Sequence, residues 1–161
     1  MNKKIWLFVF QFLLIQTGII NLSSNIVWAQ APVKLLLSSP RHVLDDPYYE
    51  EVVHKKGDDA AYEHAKIEYL LVRIRGSRKT FIRNRELHTA SEAANHIATK
   101  WYRSGGQVKT AQNFIRYIAS SSSMTGEPYL VKFRNGNTYP TGKILYNELE
   151  RLETLVDRKV S

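Results

Sequence analysis

The sequence predicts a mainly helical α+β domain, with about four helices and one β-hairpin packed on them. Two observations lead to this fold class. Apolar residues recur at helical spacing in four separate segments. Before the last of these, an aromatic, strand-like stretch ends at Asn135-Gly136, the strongest hairpin signal in the chain because both residues tolerate positive φ. Since an isolated hairpin is unstable in water, we expect it to pack on the helices.

Residues 1–29 have the three parts of a secretory signal peptide, namely Lys3 and Lys4, an apolar stretch at 5–20 and a polar end. We expect cleavage near Ala29, which predicts a bacterial protein that is periplasmic or secreted. The alternative is an uncleaved leader that anchors the protein in a membrane. The apolar stretch is shorter and more interrupted than the roughly 20 residues of a spanning helix, and this favours cleavage.

The rest of the chain is expected to form a connector and one compact domain. Residues 30–57 are rich in charge and contain Pro47 and Gly57, which predicts an exposed N-terminal connector. Residues 58–157 are the predicted single α+β domain. Its first helix, at 59–75, is apolar on two faces, and such a helix is typically enclosed by other elements. The two apolar stripes are Ile67, Leu70, Leu71 and Ile74, and Tyr62, Ala65, Tyr69 and Val72.

Each of the remaining helices is predicted from a cap at its start. Thr89 and Glu92 match a capping box, and the helix that they begin is expected to reach residue 103. Thr110 is the predicted cap of a third helix. The serines at 120–123 should end this helix, because their hydroxyls compete for backbone hydrogen bonds. Thr141 is the candidate cap of the last helix.

The predicted strands lie on either side of the hairpin turn. Residues 129–133 form the expected first strand, and residues 138–139 begin the returning one. Residues 77–88 are expected to be a link that contains one short extended piece, at 80–82. The sequence therefore predicts a single two-stranded hairpin.

Several short strings resemble a family of small exported bacterial proteins described as domain of unknown function 5329. The strings are IEYLL at 67–71, FIRN at 81–84, EAANHI at 92–97, TAQNFI at 110–115, IASSSS at 118–123, MTGEPY at 124–129 and the closing segment at 145–149. The resemblance covers residues 60–152 and implies export and a common fold, but no activity. One departure is Arg85, where the resemblance leads us to expect glycine. This departure argues against a tight turn after Asn84.

The composition and the motifs exclude several kinds of site. The chain has no cysteine, which excludes disulfides, thiol catalysis and zinc sites with cysteine ligands. Its five histidines are not spaced as metal ligands, and no nucleotide-binding or calcium-binding motif is present. We therefore expect no metal and no cofactor.

The net charge favours anionic partners. The formal charge of the whole chain is +8, and removing Lys3 and Lys4 with the leader leaves 21 basic against 15 acidic residues, or +6. We expect the partner to be an anionic envelope component or another periplasmic protein, although solubility alone also explains such a charge. Nucleic acid is not expected, because the basic residues are spread along an exported chain. Membrane contact is expected only if the leader stays uncleaved.

The candidate site combines three groups of polar residues. His96 and Lys100 share one helical face and could hold an anionic or hydroxyl-bearing ligand, or they could be a packed histidine and a solvated lysine. Arg83 and Asn84 could hold a carboxylate or phosphate, or form a solvated basic turn. The third group is the serine run at 120–123. The predicted binding residues are Arg83, Asn84, His96, Lys100, Ser121, Ser122, Ser123 and Tyr129.

Three functional classes remain open from the sequence, and one of them, a tethered envelope structural protein, requires that the leader stay uncleaved. The first is a non-catalytic binding or envelope-associated module, which the lack of a complete catalytic constellation favours. The alternative is a small hydrolase or transferase in which a serine at 120–123 is activated by His96 or Lys100. The chain has no G-x-S-x-G elbow and no S-x-x-K motif, which weakens the enzyme hypothesis without excluding it.

Overall fold

A computed structural model describes residues 34–38 and 43–161. The predicted signal peptide lies outside these residues. The helices are α1 (Pro47–Lys55), α2 (Asp59–Gly76), α3 (Ala90–Arg103), the short α4 (Ala111–Asn113) and α5 (Thr141–Val160), and a π-helix spans Phe114–Ala119. The strands are β1 (Thr80–Arg83), β2 (Glu86–His88), β3 (Leu130–Lys132) and β4 (Thr138–Pro140). The mainly helical α+β class is confirmed. No helix in the described ranges is long and apolar enough to cross a membrane.

The long helix α2 lies at the centre of the helical part, as its two apolar stripes predict. It begins where the Asp58 side chain accepts a hydrogen bond from the Ala61 amide, and it ends at Gly76. Ile67 and Leu70 on one stripe and Tyr69 on the other are all buried. The helix therefore packs on more than one side, and its neighbours are α1, α3, α4 and α5.

Residues 43–57 differ from the exposed connector that the sequence predicts. Asp46 caps α1 by accepting a hydrogen bond from the Tyr48 amide, and Pro47 occupies the first helical turn. Tyr49 and Val52, three residues apart, are buried, and α1 packs on α2 and α5. The charged residues of α1 lie on its outer face, and the opposite face is packed against the domain. The charged composition is therefore that of an amphipathic helix rather than of an exposed connector.

The N-terminal stretch 34–38 has no regular secondary structure and is attached to α5. The Leu37 side chain is buried, and its amide donates to Glu148 Oε1 at 2.6 Å. Asn147 donates to the Leu35 carbonyl at 3.0 Å, and Lys34 forms an ion pair with Glu150. Side chains of one turn of α5 thus hold this part of the predicted connector against the domain.

The four strands form one antiparallel sheet in the order β2-β1-β3-β4. The predicted hairpin is β3–β4, and Gly136 in its turn has a φ of 85°. The predicted link at 77–88 contains a second hairpin, β1–β2, with a two-residue turn in which Asn84 and Arg85 have φ values of 50° and 69°. Two positive φ values are typical of a type I′ turn. The tight turn therefore forms although arginine stands where glycine is expected.

The capping box of α3 forms as predicted. Thr89 Oγ1 accepts from the Glu92 amide at 3.2 Å, and Glu92 Oε2 accepts from the Thr89 amide at 2.8 Å. Thr141 is the exception among the predicted caps. It is the first residue of α5 rather than the cap, its side chain is buried, and its amide donates to the Tyr129 carbonyl at 2.8 Å. The sheet thus fixes the start of α5.

The third predicted helix begins as expected and then changes its hydrogen-bond pattern. Thr110 Oγ1 accepts from the Asn113 amide at 3.1 Å, and one turn of α4 leads into the π-helix. The wider turn ends at Ser120, whose hydroxyl donates to the carbonyl of Ile115, five residues earlier, at 2.6 Å. The serine run therefore ends the helix, as predicted, and the next residues lead into the candidate site.

Candidate functional site

The polar residues that the sequence selects surround one cleft of about 600 Å³, which we call the basic cleft. It lies between α3, the β1–β2 turn and the loop at 120–129, which we call the serine loop. Seven of the eight predicted binding residues line it, and these are Arg83, Asn84, His96, Lys100, Ser122, Ser123 and Tyr129. Ser121 does not line it, but its carbonyl is hydrogen-bonded to Lys100. Sequence reasoning missed three further lining residues, which are Thr99, Arg103 and Met124.

One face of α3 supplies three of the four basic residues of the cleft. His96, Thr99, Lys100 and Arg103 follow the i, i+3, i+4, i+7 spacing of a single helical face. This spacing is a signal by which Thr99 and Arg103 could have been found once His96 and Lys100 were chosen. The face lies opposite the serine loop because α3 packs on both α2 and the π-helix.

The β1–β2 turn forms a second wall of the basic cleft. Asn84 adopts positive φ, a conformation that asparagine tolerates better than most residues. Its side-chain oxygen accepts a hydrogen bond from Thr125 Oγ1 at 2.9 Å, which ties the turn to the serine loop. Arg83, the last residue of β1, lines the cleft beside it, and its Nε is buried without a hydrogen-bond partner in the described chain.

Backbone hydrogen bonds give the loop at 120–129 a defined shape. The Ser122 amide donates to the Glu127 carbonyl, and the Gly126 amide donates to the Ser122 carbonyl, both at 2.9 Å. At the base of the loop the Tyr129 amide donates to the Ser120 carbonyl, also at 2.9 Å. Ser122 is buried, whereas Met124 at the tip is 93% exposed. The backbone hydrogen bonds therefore hold the loop in one conformation, with Met124 exposed to solvent at its tip.

His96 and Tyr129 meet at the inner end of the basic cleft. The Nε2 atom of His96 lies 3.2 Å from the Tyr129 hydroxyl, and the two rings are in edge contact. Burial lowers the pKa of His96, and the positive charges of Arg83 and Lys100 lower it further. Burial raises the pKa of Tyr129, with Arg83 acting in the opposite direction. Near neutral pH the pair is thus a neutral imidazole beside a protonated phenol.

Lys100 connects the cleft to the end of the π-helix. Its Nζ donates to the Ile118 carbonyl at 2.9 Å and to the Ser121 carbonyl at 2.8 Å, and it lies 5.6 Å from the ring centroid of Tyr129. Burial lowers the pKa of this lysine. An ammonium group has three donors, so two of them cap the helix end and one is left for a ligand.

The arrangement does not assemble a serine nucleophile with a base. Within residues 43–161, no hydrogen bond joins His96 or Lys100 to a hydroxyl of the serines at 120–123. The Ser120 hydroxyl is bonded to the Ile115 carbonyl, and Ser122 Oγ accepts from the Thr125 amide at 3.4 Å. A catalytic serine needs a base within hydrogen-bond reach, and the described contacts of His96 and Lys100 do not provide one for these serines.

The charges at the basic cleft have one sign. Its cations are Arg83, Lys100 and Arg103, the neutral imidazole of His96 lies among them, and no carboxylate of the described residues lines it. The adjacent Glu127 pairs with the exposed Arg85 at 3.5 Å. A half-buried group of cations and hydroxyls is suited to an anion. No cluster of three or more metal-ligating side chains occurs among the residues that the structure describes.

Comparison with known proteins places the chain in a family. Residues 61–153 match the family described as a family of unknown function, DUF5329. A relative, the uncharacterized protein YfeK of Salmonella typhimurium, is 40% identical over 70 residues, which are 43% of this chain and 58% of the relative. The chain thus spans less than two thirds of that relative's length. No solved structure matches the chain. Since the family match extends over more than half of its residues, the chain belongs to this family of unknown function.

Proposed function

We propose that this protein is an exported, non-catalytic binding module whose basic cleft holds an anionic group of an envelope component. The observation that carries the proposal is the convergence of three cations, Arg83, Lys100 and Arg103, on one cleft that no carboxylate of the described residues lines. Such a site attracts a phosphate or carboxylate group, and the desolvation of its half-buried members strengthens the attraction.

The side chains of the basic cleft contribute different kinds of contact to the anion. Arg83 offers a planar set of donors that suits two oxygens of one anion. The free donor of Lys100 adds a point charge, and the hydroxyls of Ser122 and Ser123 add neutral hydrogen bonds. The bond between Asn84 and Thr125 holds two walls of the cleft together before any ligand arrives, which reduces the ordering cost of binding.

The first experiment measures binding of inorganic phosphate by the mature protein, purified after export. Titration followed by NMR should give saturable shifts of amides in α3 and in the serine loop. Arg83→Gln should weaken binding about tenfold, because one charge-assisted hydrogen-bonding group is lost. Arg116→Gln is the matched control, since Arg116 is exposed, contacts Tyr117 and does not line the cleft. Absence of binding, or equal losses in both variants, would contradict the proposal.

A second experiment identifies the envelope component. Thermal-shift screening against anionic glycans, anionic phospholipid vesicles and peptidoglycan fragments should reveal one class that raises the unfolding temperature. Arg83→Gln should remove that shift, whereas Arg116→Gln should keep it. If no class produces a shift, the binding role loses its support.

Export is tested separately from binding. The leader at 1–29 and the basic mature chain support this part of the proposal. Cell fractionation followed by intact-mass measurement should find a periplasmic or secreted chain that begins at Gln30. A mass that begins at Met1 in the membrane fraction would instead indicate a tethered protein, and a cytoplasmic chain would contradict export.

A further inference from the structure

A small apolar slot adjoins the basic cleft. It measures about 30 Å³ and lies between β1 and α3, where Phe81, Ile82, Ala93 and Ile97 line it. Phe81 and Ile97 are buried, so the floor of the slot belongs to the domain core. Nearly all of the surface that the slot exposes is carbon. We call this space the alkyl slot.

The alkyl slot and the basic cleft share part of their walls. Arg83, His96 and Tyr129 line both spaces, and the contact between His96 and Tyr129 therefore stands at their boundary. A group that enters the slot is consequently a direct neighbour of an anion held beside Arg83. The slot and the cleft can receive two parts of one small molecule.

We propose that the ligand carries a short alkyl group of one or two carbons beside its anionic group, and that the alkyl slot receives this group. The proposal rests on the proposed function, because it assumes that the basic cleft holds the anion. A space of this size accommodates about one or two carbon atoms. A longer chain does not fit in a space of this size, so the slot selects for length as well as for polarity.

The exposed surface of the slot favours an alkyl group over a hydroxyl group. Polar residues also line it, but Glu92 accepts from the Thr89 amide in the capping box and His96 is in contact with the Tyr129 hydroxyl. An alkyl group gains the burial of its own apolar area against the carbon surface, whereas a hydroxyl placed there would lose its hydration.

The test uses phosphate monoesters that differ only in their substituent. Inorganic phosphate, methyl phosphate, ethyl phosphate, n-butyl phosphate and 2-hydroxyethyl phosphate are titrated by NMR at about pH 8, where each is predominantly a dianion. Each of the first two carbons should tighten binding about threefold to fourfold, the value expected for burying one methylene group. Butyl phosphate should gain nothing beyond ethyl phosphate, and the hydroxyethyl ester should bind more weakly than the ethyl ester.

The outcomes separate the two proposals. If inorganic phosphate does not bind, the proposed function fails. If it binds but ethyl phosphate is no tighter, or if the hydroxyethyl ester is preferred, only the alkyl slot is overturned. A gain that continues evenly to butyl phosphate would indicate a general apolar surface and would also overturn it.

A variant fills the slot from within. Ala93→Leu should abolish the preference for ethyl phosphate while changing the affinity for inorganic phosphate by less than about twofold. Ala98→Leu is the matched control, because Ala98 is also a partly buried alanine of α3 but lines a different groove. Retention of the ethyl preference in Ala93→Leu would contradict the proposal. If Ala93→Leu does not fold, the ester series on the unaltered protein decides the question.

Discussion

The Nε2 atom of His96 lies 3.2 Å from the hydroxyl of Tyr129, and this contact joins α3 to the end of the serine loop. Tyr129 is only 5% exposed and His96 is half-buried, so the imidazole is partly withdrawn from bulk water. Burial and the nearby cations Arg83 and Lys100 lower the pKa of His96. A proton added to this ring is therefore bound less tightly in the folded protein than in the unfolded chain.

The first prediction concerns the pH dependence of stability. The unfolded chain takes up this proton near the ordinary histidine pKa of about 6.5, and the folded protein takes it up only at lower pH. The free energy of unfolding should therefore be maximal above about pH 6.5 and fall as the pH is lowered through the interval between the two values. Urea unfolding between pH 8 and pH 5 measures this decline.

His96→Gln should flatten that part of the profile, because the variant has no proton to bind at this position. His54→Gln on α1 is the control, since His54 is exposed and does not line the cleft. Equal pH profiles for His96→Gln and the unaltered protein would show that another group causes the acid sensitivity.

The second prediction concerns an ion pair beneath the N-terminal stretch. The Nε of Arg73 lies 3.6 Å from Glu148 Oε2, and the two side chains are 5% and 0% exposed. Burial raises the pKa of Glu148, although Arg73 and the Leu37 amide act in the opposite direction. Glu148→Gln should lower the free energy of unfolding by about 3 kcal/mol, because a buried guanidinium loses its counter-charge while the Leu37 amide keeps an acceptor.

A double-mutant cycle separates the interaction of Arg73 with Glu148 from a general loss of packing around Glu148. In an Arg73→Met background the buried cation that pairs with Glu148 is absent, so Glu148→Gln should cost at least about 1 kcal/mol less than it does alone. Urea unfolding of the four proteins provides the measurement. Strictly additive losses would mean that the two side chains act independently.

The third prediction concerns the close approach of α5 to the end of the π-helix. A Cβ atom added at Gly142 would overlap Ser120 Oγ, and Ser120 Cβ would lie 3.3 Å away. Gly142→Ala should therefore reduce the free energy of unfolding by about 1–3 kcal/mol. The loss should be smaller in a Ser120→Ala background, where the overlapping oxygen is absent. Gly76→Ala is the control, since nothing lies within 4 Å of its added Cβ.

The fourth prediction concerns the β1–β2 turn. Arg85 adopts a φ of 69°, which a residue with a Cβ atom adopts at a cost of about 1–2 kcal/mol. Arg85→Gly should raise the free energy of unfolding by about 0.5–1 kcal/mol, after the greater flexibility of unfolded glycine is deducted. The pair with Glu127 contributes little, because the Arg85 side chain is 90% exposed.

Arg85→Ala is the matched control for this turn. It removes the same ion pair but keeps a Cβ atom, so it should not increase stability. An equal gain in both variants would show that the arginine side chain, rather than backbone strain, destabilises the turn. Thermal unfolding of the two variants makes the comparison.

Local patterns predict the elements whose signals lie within a few residues. The capping box at Thr89, the Asn135-Gly136 turn and the two stripes of α2 each depend on neighbours close in sequence, and each is found in the structure. The local patterns do not predict α1 or the β1–β2 hairpin. The buried Tyr49 lies in a densely charged segment, and Arg85 stands where a glycine would have indicated the turn.

The candidate site was predicted in its residue types but not in its geometry. The helical spacing of His96 and Lys100 put them on one face, and both line the basic cleft. Their hydrogen-bond partners could not be read from the sequence, because Tyr129 and the carbonyl of Ser121 reach them only through long-range packing. For the same reason the sequence left serine catalysis open, since it could not show which group each serine hydroxyl contacts.

The fold class, the family resemblance and the positive charge can be read from the amino-acid order alone, because periodicity and short motifs are properties of neighbouring residues and net charge is a sum over residues. The packing of residues 43–57 on the domain and the meeting of the charges of Arg83 and Lys100 at one cleft are found only in the folded chain. The packing of residues 43–57 depends on the contacts of α1 with α2 and α5. The cleft depends on how β1 pairs with β3 and on how α3 packs against the π-helix. Such contacts join residues far apart in the chain, and no local pattern encodes them.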